Sequence, residues 1–177
     1  MKKLSPKICQ TASGVLIVAG RVLLIKHKKM GCWMTPGGHL DEGEFLYQAA
    51  EREFWEETGL KVKAIDPFAK LWEVDEATKE KYYQPAPIAV NIHWVCRENY
   101  AARCRGENKV DPVWKKGCEQ HLDFKYLVEA TDGLDFKQNV EETDGIAWFS
   151  LEQVRAMSKE EIFDNVRSEI ILAFKLI

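Results

Sequence analysis

Three glutamates in one short stretch of the chain have the spacing of a metal-binding cluster. If the stretch is helical, Glu53, Glu56 and Glu57 fall within an arc of about 100°, since each residue turns a helix by about 100°. Carboxylates this close repel one another, and their hard oxygen atoms are the ligands that Mg²⁺ and Mn²⁺ prefer. A solvated acidic helix face is the simpler alternative.

Acidic residues are concentrated around this cluster. Segment 38–60 carries a net charge of −6 and the whole chain −3, so the remaining residues carry +3. The segment contains one base, Arg52, and seven acids: Asp41, Glu42, Glu44, Glu51, Glu53, Glu56 and Glu57. This concentration suits a site in which carboxylates hold cations and the cations hold the phosphates of a polyanionic substrate.

One amphipathic helix, predicted from Phe45 to Thr58, would position these carboxylates. Ala50 and Phe54 form an apolar stripe beside the acidic arc, through which the helix can pack on a sheet. Gly59 follows the helix and suits a left-handed C-cap, where a Cβ would be strained. The predicted helix would therefore carry the three glutamates, and its apolar stripe would anchor it to the sheet.

The same stretch resembles the Nudix box, in the form Gly38-x5-Glu44-x7-Arg52-Glu53-Phe54-x-Glu56-Glu57-x-Gly59-Leu60. Every fixed position is met, and Phe54 is bulkier than the usual aliphatic residue. The resemblance is to the MutT-like Nudix hydrolases, with no subfamily identifiable. It implies an α/β/α sandwich whose mixed β-sheet has the Nudix helix on one side and further helices at the C-terminus.

The resemblance also implies an activity. Nudix enzymes cleave a nucleoside diphosphate linked to another group, with water attacking phosphorus while divalent cations neutralise the phosphate oxygens. We therefore expect a Mg²⁺-dependent pyrophosphohydrolase, with Mn²⁺ as an alternative cofactor and a small nucleotide as the substrate. The resemblance assigns Glu53, Glu56 and Glu57 as metal ligands, and Arg52, which can pair with Glu56 four residues on, as the residue that orients them.

The resemblance assigns further positions with supporting roles. The carbonyl of Gly37 is expected to ligate a cation, and Gly38, Glu44 and Gly59 are expected to support the box, with Glu44 near the helix start. The general base is expected to be Glu53 or a downstream acid. Glu142 is the candidate, although acids in a turn before a strand are commonly just solvated.

Substrate-binding residues are expected outside the box. Trp33 follows a lysine-rich loop, and His121 and Asp123 lie two apart on one face of a predicted strand. This pair could contact a base or phosphate, or it could be a polar pair at a strand edge. Residues 97–120 are predicted to be a long irregular insertion that either contacts substrate or lies passively on the surface.

The chain length favours a single domain, with residues 1–8 as a flexible lead-in and residues 9–177 as the domain. A polar loop is predicted at 75–87, and capping boxes at Ser150 and Ser158 predict two closing helices. The second of these helices should bury Ile162, Val166, Ile170 and Phe174. Strands are predicted at Thr11–Ala19, Val22–His27, Lys61–Ile65, Phe68–Val74, Ile88–Cys96, His121–Ala130 and Gly145–Phe149.

Composition excludes several classes of protein. A net charge of −3 argues against a general nucleic-acid binder, and no apolar run approaches a membrane span of roughly 20 residues. No secretory signal follows the first residues, so we expect a cytoplasmic protein. Whether it forms a homodimer is left open.

The five cysteines form no disulfide-like pattern, and reduced thiols are expected. A zinc set of Cys96, Cys104, Cys118 and His121 is an alternative. Cys118-x-x-His121 has ligand spacing, but the gaps between the cysteines fit no standard zinc pattern.

No subclass signature downstream of the box identifies the substrate. Two alternatives to a small-nucleotide hydrolase stay open: a nucleotide-sensing or protein-binding module with little catalysis, and a pyrophosphohydrolase of RNA 5′ ends. The intact set of glutamates favours catalysis, because loss of catalysis would usually leave gaps among them.

Overall fold

The computed structural model describes residues 4–71, 73–114 and 116–177, and for Glu80 the backbone alone. Eight strands and five helices lie in these ranges. The strands are β1 (Ile8–Val18), β2 (Arg21–His27), β3 (Trp33–Met34), β4 (Gly37–His39), β5 (Val62–Ile65), β6 (Ala89–Trp94), β7 (Gln120–Ala130) and β8 (Thr143–Ser150). The helices are α1 (Leu46–Thr58), α2 (Glu76–Tyr82), α3 (Arg97–Cys104), α4 (Leu151–Ala156) and α5 (Asp164–Leu176).

A parallel pair of long strands, β1 and β7, forms the centre of the mixed sheet. Their register runs from Ile8↔Gln120 to Leu16↔Val128. β2 and β4 pair antiparallel with β1, while β5 and β6 pair antiparallel with β7. Parallel strands are usually buried on both faces, and Thr11 to Leu16 of β1 are buried without a break. The expected α/β sandwich with a mixed sheet is confirmed.

Helices cover both faces of the sheet. On one face, Ala50 and Phe54 of α1 are fully buried against Leu16 and Tyr126. A Cβ on Gly14 would come within 2.9 Å of the Phe54 ring, so this glycine lets α1 approach β1 closely. The alternation of side chains along β1 therefore assigns one row of residues to α1 and the other to α5.

The second core lies between the opposite sheet face and the C-terminal helices. Val15 and Leu127 are buried there against Ile162 and Ile170. The predicted stripe of the last helix is largely confirmed, with Phe174 only partly buried. None of the helices in the described part of the chain is long and apolar enough to cross a membrane.

Helix α1 has the predicted position and end. It begins at Leu46, with Phe45 as the N-cap residue, and it ends at Thr58. Gly59 follows with φ 72° in the left-handed region, where glycine has no steric cost. The side-chain oxygen of Gln48 accepts from the backbone N–H of Phe45 at 3.0 Å and closes the first turn.

Three loop and strand predictions between α1 and β7 were wrong. The predicted strand Phe68–Val74 contains a 3-10 turn at Ala69–Leu71, with Trp72 outside the described residues. The predicted loop 75–87 contains α2, whose N-cap Asp75 accepts from the N–H of Thr78 at 3.0 Å. The segment 97–120 is not irregular throughout, because it begins with the two turns of α3.

The C-terminal helices agree with one of the two predicted capping boxes. Ser150 and Gln153 form a capping box at the start of α4, as predicted. Ser158 and Glu161 do not begin a helix: the N–H of Ser158 donates to the Glu161 carboxylate at 2.8 Å within a turn. The next helix begins only at Asp164, because the turn first brings Ile162 into the core.

The described part of the expected lead-in, residues 4–8, is in contact with the rest of the chain. The Tyr100 hydroxyl donates to the carbonyl of Leu4 at 2.9 Å, and the N–H of Lys7 donates to the Glu119 carboxylate at 2.8 Å. Strand β1 begins at Ile8, one residue before the predicted boundary.

The expectation of reduced thiols was wrong for two of the five cysteines. Cys9 and Cys118 form a disulfide between β1 and the chain just before β7, while Cys32, Cys96 and Cys104 are free. The cross-link is possible because the parallel register of β1 with β7 places Cys9 opposite His121. The disulfide also removes Cys118 from the alternative zinc-ligand set with Cys96 and Cys104.

Candidate metal and catalytic site

The last acidic residue of α1 is buried against a strand. The Glu57 side chain lies 4% exposed, and its Oε2 accepts from the backbone N–H of Gly37 at 3.0 Å. Burial raises the pKa of Glu57 to about 8, and the neighbouring charges of Glu53, Glu142 and Glu56 act in the same direction. Within the described part of the chain, the N–H of Gly37 is the one group that lowers this pKa, so the site holds more negative charge than it balances.

The other two box glutamates are progressively more exposed. The Glu53 side chain is 15% exposed and that of Glu56 is 41% exposed. Burial raises the pKa of Glu53, although its hydrogen bond with Arg52 opposes that shift. The three carboxylates thus run from a buried end at Glu57 to a solvent-facing end at Glu56.

Arg52 is the cation shared by these acids. Its guanidinium donates to Glu44 at 2.9 and 3.0 Å, to Glu53 at 2.9 Å and to Glu56 at 3.1 Å. It also donates to the backbone carbonyl of His39 at 2.8 Å. The N–H donors of this planar group therefore connect α1 to the preceding loop and to β4. Hydrogen bonding to Glu44 is the main cause of the raised pKa of Arg52.

Glu44 lies at the start of α1, where the sequence placed it, and it faces the arginine. Besides its two contacts with Arg52, its Oε2 accepts from the N–H of Asp41 at 3.0 Å. The Arg52 hydrogen bonds lower the pKa of Glu44, so this carboxylate stays charged. Its contacts fix the guanidinium that in turn fixes Glu53 and Glu56.

The paired glycines let β4 come close to both β1, its partner in the sheet, and α1. Ser13 and Ala12 of β1 oppose Gly37 and Gly38. A Cβ on Gly38 would overlap the Glu53 carboxylate, and a Cβ on Gly37 would overlap Ser13. Any side chain at these positions would therefore displace a site carboxylate or the strand.

The loop before β8 is fastened to the C-terminal end of α1 by a residue that sequence reasoning missed. The N–H of Asn139 donates to the Glu57 carbonyl at 3.2 Å, and its amide Nδ2 donates to the Glu56 carbonyl at 3.3 Å. The same Nδ2 lies 3.4 Å from Oε2 of Glu142. Glu142 is thereby held near the box, and its charge raises the pKa of both Glu53 and Glu57.

His121 and Asp123 lie on the face of the sheet opposite α1. They alternate along β7 with Phe124 and Tyr126, which pack on the α1 side. Asp123 accepts from Thr11 at 2.9 Å. Burial and the neighbouring His39 and His93 lower the pKa of His121 to about 4.

Asp123 is also part of a buried polar network with a lysine. Lys125 Nζ lies 3.3 Å from Asp123 and 3.4 Å from Glu169 of α5. It donates to Ser13 at 2.6 Å and to Thr35 at 2.8 Å. Asp123 therefore has internal partners, and the structure separates it and His121 from the box glutamates by the thickness of the sheet.

Trp33 is held by packing and not presented as an open stacking surface. Its ring meets Phe149 edge-on at 4.7 Å, and its backbone N–H donates to the Glu161 carbonyl at 2.7 Å. It lies half-buried beside the core formed with α5.

Segment 97–120 is built around internal contacts of its own cations. Arg103 donates to Glu119, 1% exposed, at 2.6 and 2.8 Å. Arg105 pairs with Glu107 at 2.5 Å, and Arg97 lies over the Trp94 ring at 4.5 Å. The Arg103–Glu119 pair anchors the segment to the start of β7, while Lys115 lies outside the described residues.

Comparisons with known proteins give a consistent result. The family model described as the NUDIX domain matches residues 9–171. A hydrolase of the NUDIX family from Clostridium perfringens has a similar structure, with a TM-score of 0.68 and 22% identity over 98% of this chain and 99% of that chain. The MutT protein from Methanosarcina mazei Go1 gives a TM-score of 0.64 with 16% identity, covering 97% of both chains.

Curated relatives match over a shorter region. Phosphatase NudJ of Escherichia coli K12 is 38% identical over 55 residues, which are 30% of this chain and 36% of that protein. The matched region is less than half the length of each of the first curated relatives, between 30% and 45%. The family model and the structural likeness therefore cover nearly the whole chain, while the sequence likeness to these curated relatives is confined to part of it.

Proposed function

Since this chain belongs to the NUDIX hydrolase family, we propose that it is a divalent-metal-dependent hydrolase that cleaves the pyrophosphate bond of a nucleoside diphosphate linked to another moiety. The observation that carries the proposal is the buried carboxylate of Glu57, which among the described residues has one N–H partner and three acidic neighbours. Uncompensated buried charge is costly. A bound cation would supply the missing positive charge.

The donor set fits a hard divalent cation. Glu53, Glu56 and Glu57 offer only carboxylate oxygens, and a single guanidinium is shared among Glu44, Glu53 and Glu56. Arg52 balances one negative charge, so the group keeps a net negative charge that Mg²⁺ or Mn²⁺ would neutralise. Members of the family are typically dependent on divalent metals.

Each residue of the cluster has a proposed role. Glu53, Glu56 and Glu57 would hold the cation, together with the carbonyl of Gly37. When bound, the cation would neutralise the phosphate oxygens of the substrate. Arg52 fixes the rotamers of Glu53 and Glu56, and Glu44 fixes Arg52.

Glu142 is proposed as the general base that takes a proton from the attacking water. Support comes from its electrostatic effect on Glu53 and Glu57 and from its contact with Asn139, which is bonded to the end of α1. Asn139 is the proposed positioning residue for this carboxylate. Glu53 is the alternative base, although its carboxylate already accepts a hydrogen bond from Arg52.

A substrate panel tests the proposal. The protein would be incubated with nucleoside triphosphates, nucleotide sugars and dinucleotides, with Mg²⁺ or Mn²⁺, and release of phosphate or nucleotide would be measured. We expect hydrolysis of at least one class, abolished by EDTA and restored by excess Mg²⁺. Hydrolysis that persists in EDTA would contradict the metal dependence. The absence of hydrolysis for every substrate of the panel would contradict the proposed enzymatic activity.

A further inference from the structure

A second group of metal-binding side chains lies on the sheet, built from three separate parts of the chain. The ligand atoms of Cys9, His39 and Cys118 all lie within 4.8 Å of one another. The two sulfurs form the disulfide, and Nε2 of His39 is 3.2 Å from the sulfur of Cys118. The pairing of β1 with both β4 and β7 brings these residues together.

A fourth side chain beside this group has an unsatisfied nitrogen. His121 is 9% exposed, and its Nε2 is buried without a hydrogen-bond partner among the residues that the structure describes. Its ring meets that of His39 edge-on, with centroids 4.8 Å apart, and it is aligned with Cys9 across the parallel strands. Buried nitrogen atoms are nearly always paired in folded proteins, so a missing partner on this face is indicated.

We propose that, when the disulfide is reduced, Cys9, Cys118, His39 and His121 form a tetrahedral Zn²⁺ site. Two thiolates and two imidazoles are a common structural zinc set, with Zn–S near 2.3 Å. Tetrahedral geometry places the two sulfurs about 3.8 Å apart, and the Cα atoms of the pair are 5.9 Å apart. Two thiolates cancel the charge of the dication, so the bound site is neutral.

The chemistry of this group separates it from the glutamates of α1. Sulfur and nitrogen donors select Zn²⁺ and similar ions, while clustered carboxylates suit Mg²⁺ and Mn²⁺. The two sites would therefore fill independently. His39 links them in space, because its backbone carbonyl accepts from Arg52 at 2.8 Å.

The disulfide and the zinc site are alternative states of the same two sulfurs. Two small thiols reduce the disulfide: the Cys9–Cys118 bond breaks, two cysteine thiols form, and the reductant leaves as one small disulfide. Zn²⁺ then displaces both thiol protons to solvent and binds the two thiolates, together with the neutral imidazoles.

Cobalt titration tests the proposal. The protein would be reduced with a phosphine, freed of metal and reductant, and titrated with Co²⁺ and then Zn²⁺ under anaerobic conditions. We expect a thiolate-to-cobalt charge-transfer band and the intense visible bands of tetrahedral cobalt, saturating at one equivalent, and their loss when Zn²⁺ displaces Co²⁺. The oxidised protein should give neither, and this comparison requires no substitution.

Substitutions identify the ligands. The double variant Cys9→Ser/Cys118→Ser should abolish the charge-transfer band and Cys118→Ser alone should weaken it, while Cys104→Ser, at a free cysteine outside the group, should leave it unchanged. His121→Ala should weaken binding by more than the roughly 10–100-fold typical of losing an outer-shell partner. Circular dichroism would confirm that each variant is folded.

Three results would overturn the inference. Reduced wild-type protein without the charge-transfer band would exclude thiolate binding of metal. A band that survives the loss of both Cys9 and Cys118 would place the site elsewhere. Unchanged affinity in folded His121→Ala would remove His121 as the fourth ligand. Cobalt held only by the glutamates of α1 would show no sulfur band, so the two sites are distinguishable, and failure here leaves the proposed hydrolase function untouched.

Discussion

The backbone N–H of Gly37 donates a 3.0 Å hydrogen bond to the carboxylate of Glu57, which joins the end of the acidic helix face to strand β4. The bond stabilises the charged form of a carboxylate that burial otherwise disfavours. A helix and a strand thus share one charged contact at the centre of the candidate site.

Glu57→Gln removes one negative ligand while keeping the shape of the side chain. We expect kcat/KM with Mg²⁺ to fall by about 100-fold or more, because loss of several kcal/mol of charge stabilisation corresponds to two or more decades in rate. Steady-state kinetics on the best substrate of the panel would measure it. Glu42→Gln, at an exposed acid of the same segment, is the matched control; equal effects of the two would remove Glu57 from the metal site.

The pKa of Glu57 predicts how stability depends on pH without metal. The folded state raises this pKa from 4.5 to about 8, so the folded protein binds the proton more tightly than the unfolded chain does. The resulting stability is fully present below about pH 4.5 and is lost as the pH rises through about 8. The difference in Tm between wild type and Glu57→Gln, measured in EDTA from pH 4 to 9, should show this loss; a constant difference would contradict it.

Glu142→Gln should act on the chemical step. If Glu142 is the general base, kcat should fall by about 10²–10⁴-fold, while the Mg²⁺ concentration for half-maximal activity changes little. Glu141→Gln is the matched control because it makes the same charge change at the adjacent exposed position. If the Glu142→Gln enzyme kept the full kcat, another acid would have to be the general base.

Gly38→Ala should destabilise the protein through Glu53. The added Cβ would overlap the Glu53 carboxylate, which is the flexible end of a side chain that Arg52 holds in place, so the cost should be about 1 kcal/mol, the low end of the range for overpacking. Urea unfolding of Gly38→Ala, Glu53→Ala and the double variant would measure the coupling. The cost should shrink in the Glu53→Ala background, and additive costs would show that the clash lies elsewhere.

Arg103→Ala should lower Tm by several degrees, because it leaves the carboxylate of Glu119, 1% exposed, without its cation. Arg105→Ala should change Tm little, since Arg105 and Glu107 are both well exposed. Differential scanning calorimetry would compare them. Because these cations are paired within the segment, neither variant should change the ranking of substrates in the panel, and a changed ranking would assign the segment to substrate binding.

The parts of the fold predicted correctly depend on local patterns. Helix α1 has an apolar stripe of Ala50 and Phe54 and a terminal Gly59, so its position and end can be read from neighbouring residues. The capping box at Ser150 is equally local. The predicted strand at Phe68–Val74 was wrong because a short β-prone run cannot be told from a turn by composition alone.

The features that were missed depend on contacts between distant parts of the chain. Cys9 and Cys118 are 109 residues apart in sequence, and only the register of β1 with β7 brings them together. Asn139 likewise has no motif; its role depends on how the loop before β8 meets the end of α1. Periodicity contains no information about either contact, so no inspection of the cysteine spacing could have paired them.

The Cys9–Cys118 cross-link closes a covalent ring that contains every residue from α1 to α3. A protease that cuts the backbone once between these cysteines opens the ring without separating its ends. The nicked protein should therefore migrate as one species on a denaturing gel without reductant and as two fragments with it. Limited digestion can thus be used to map exposed loops of this domain while the products stay attached to one another.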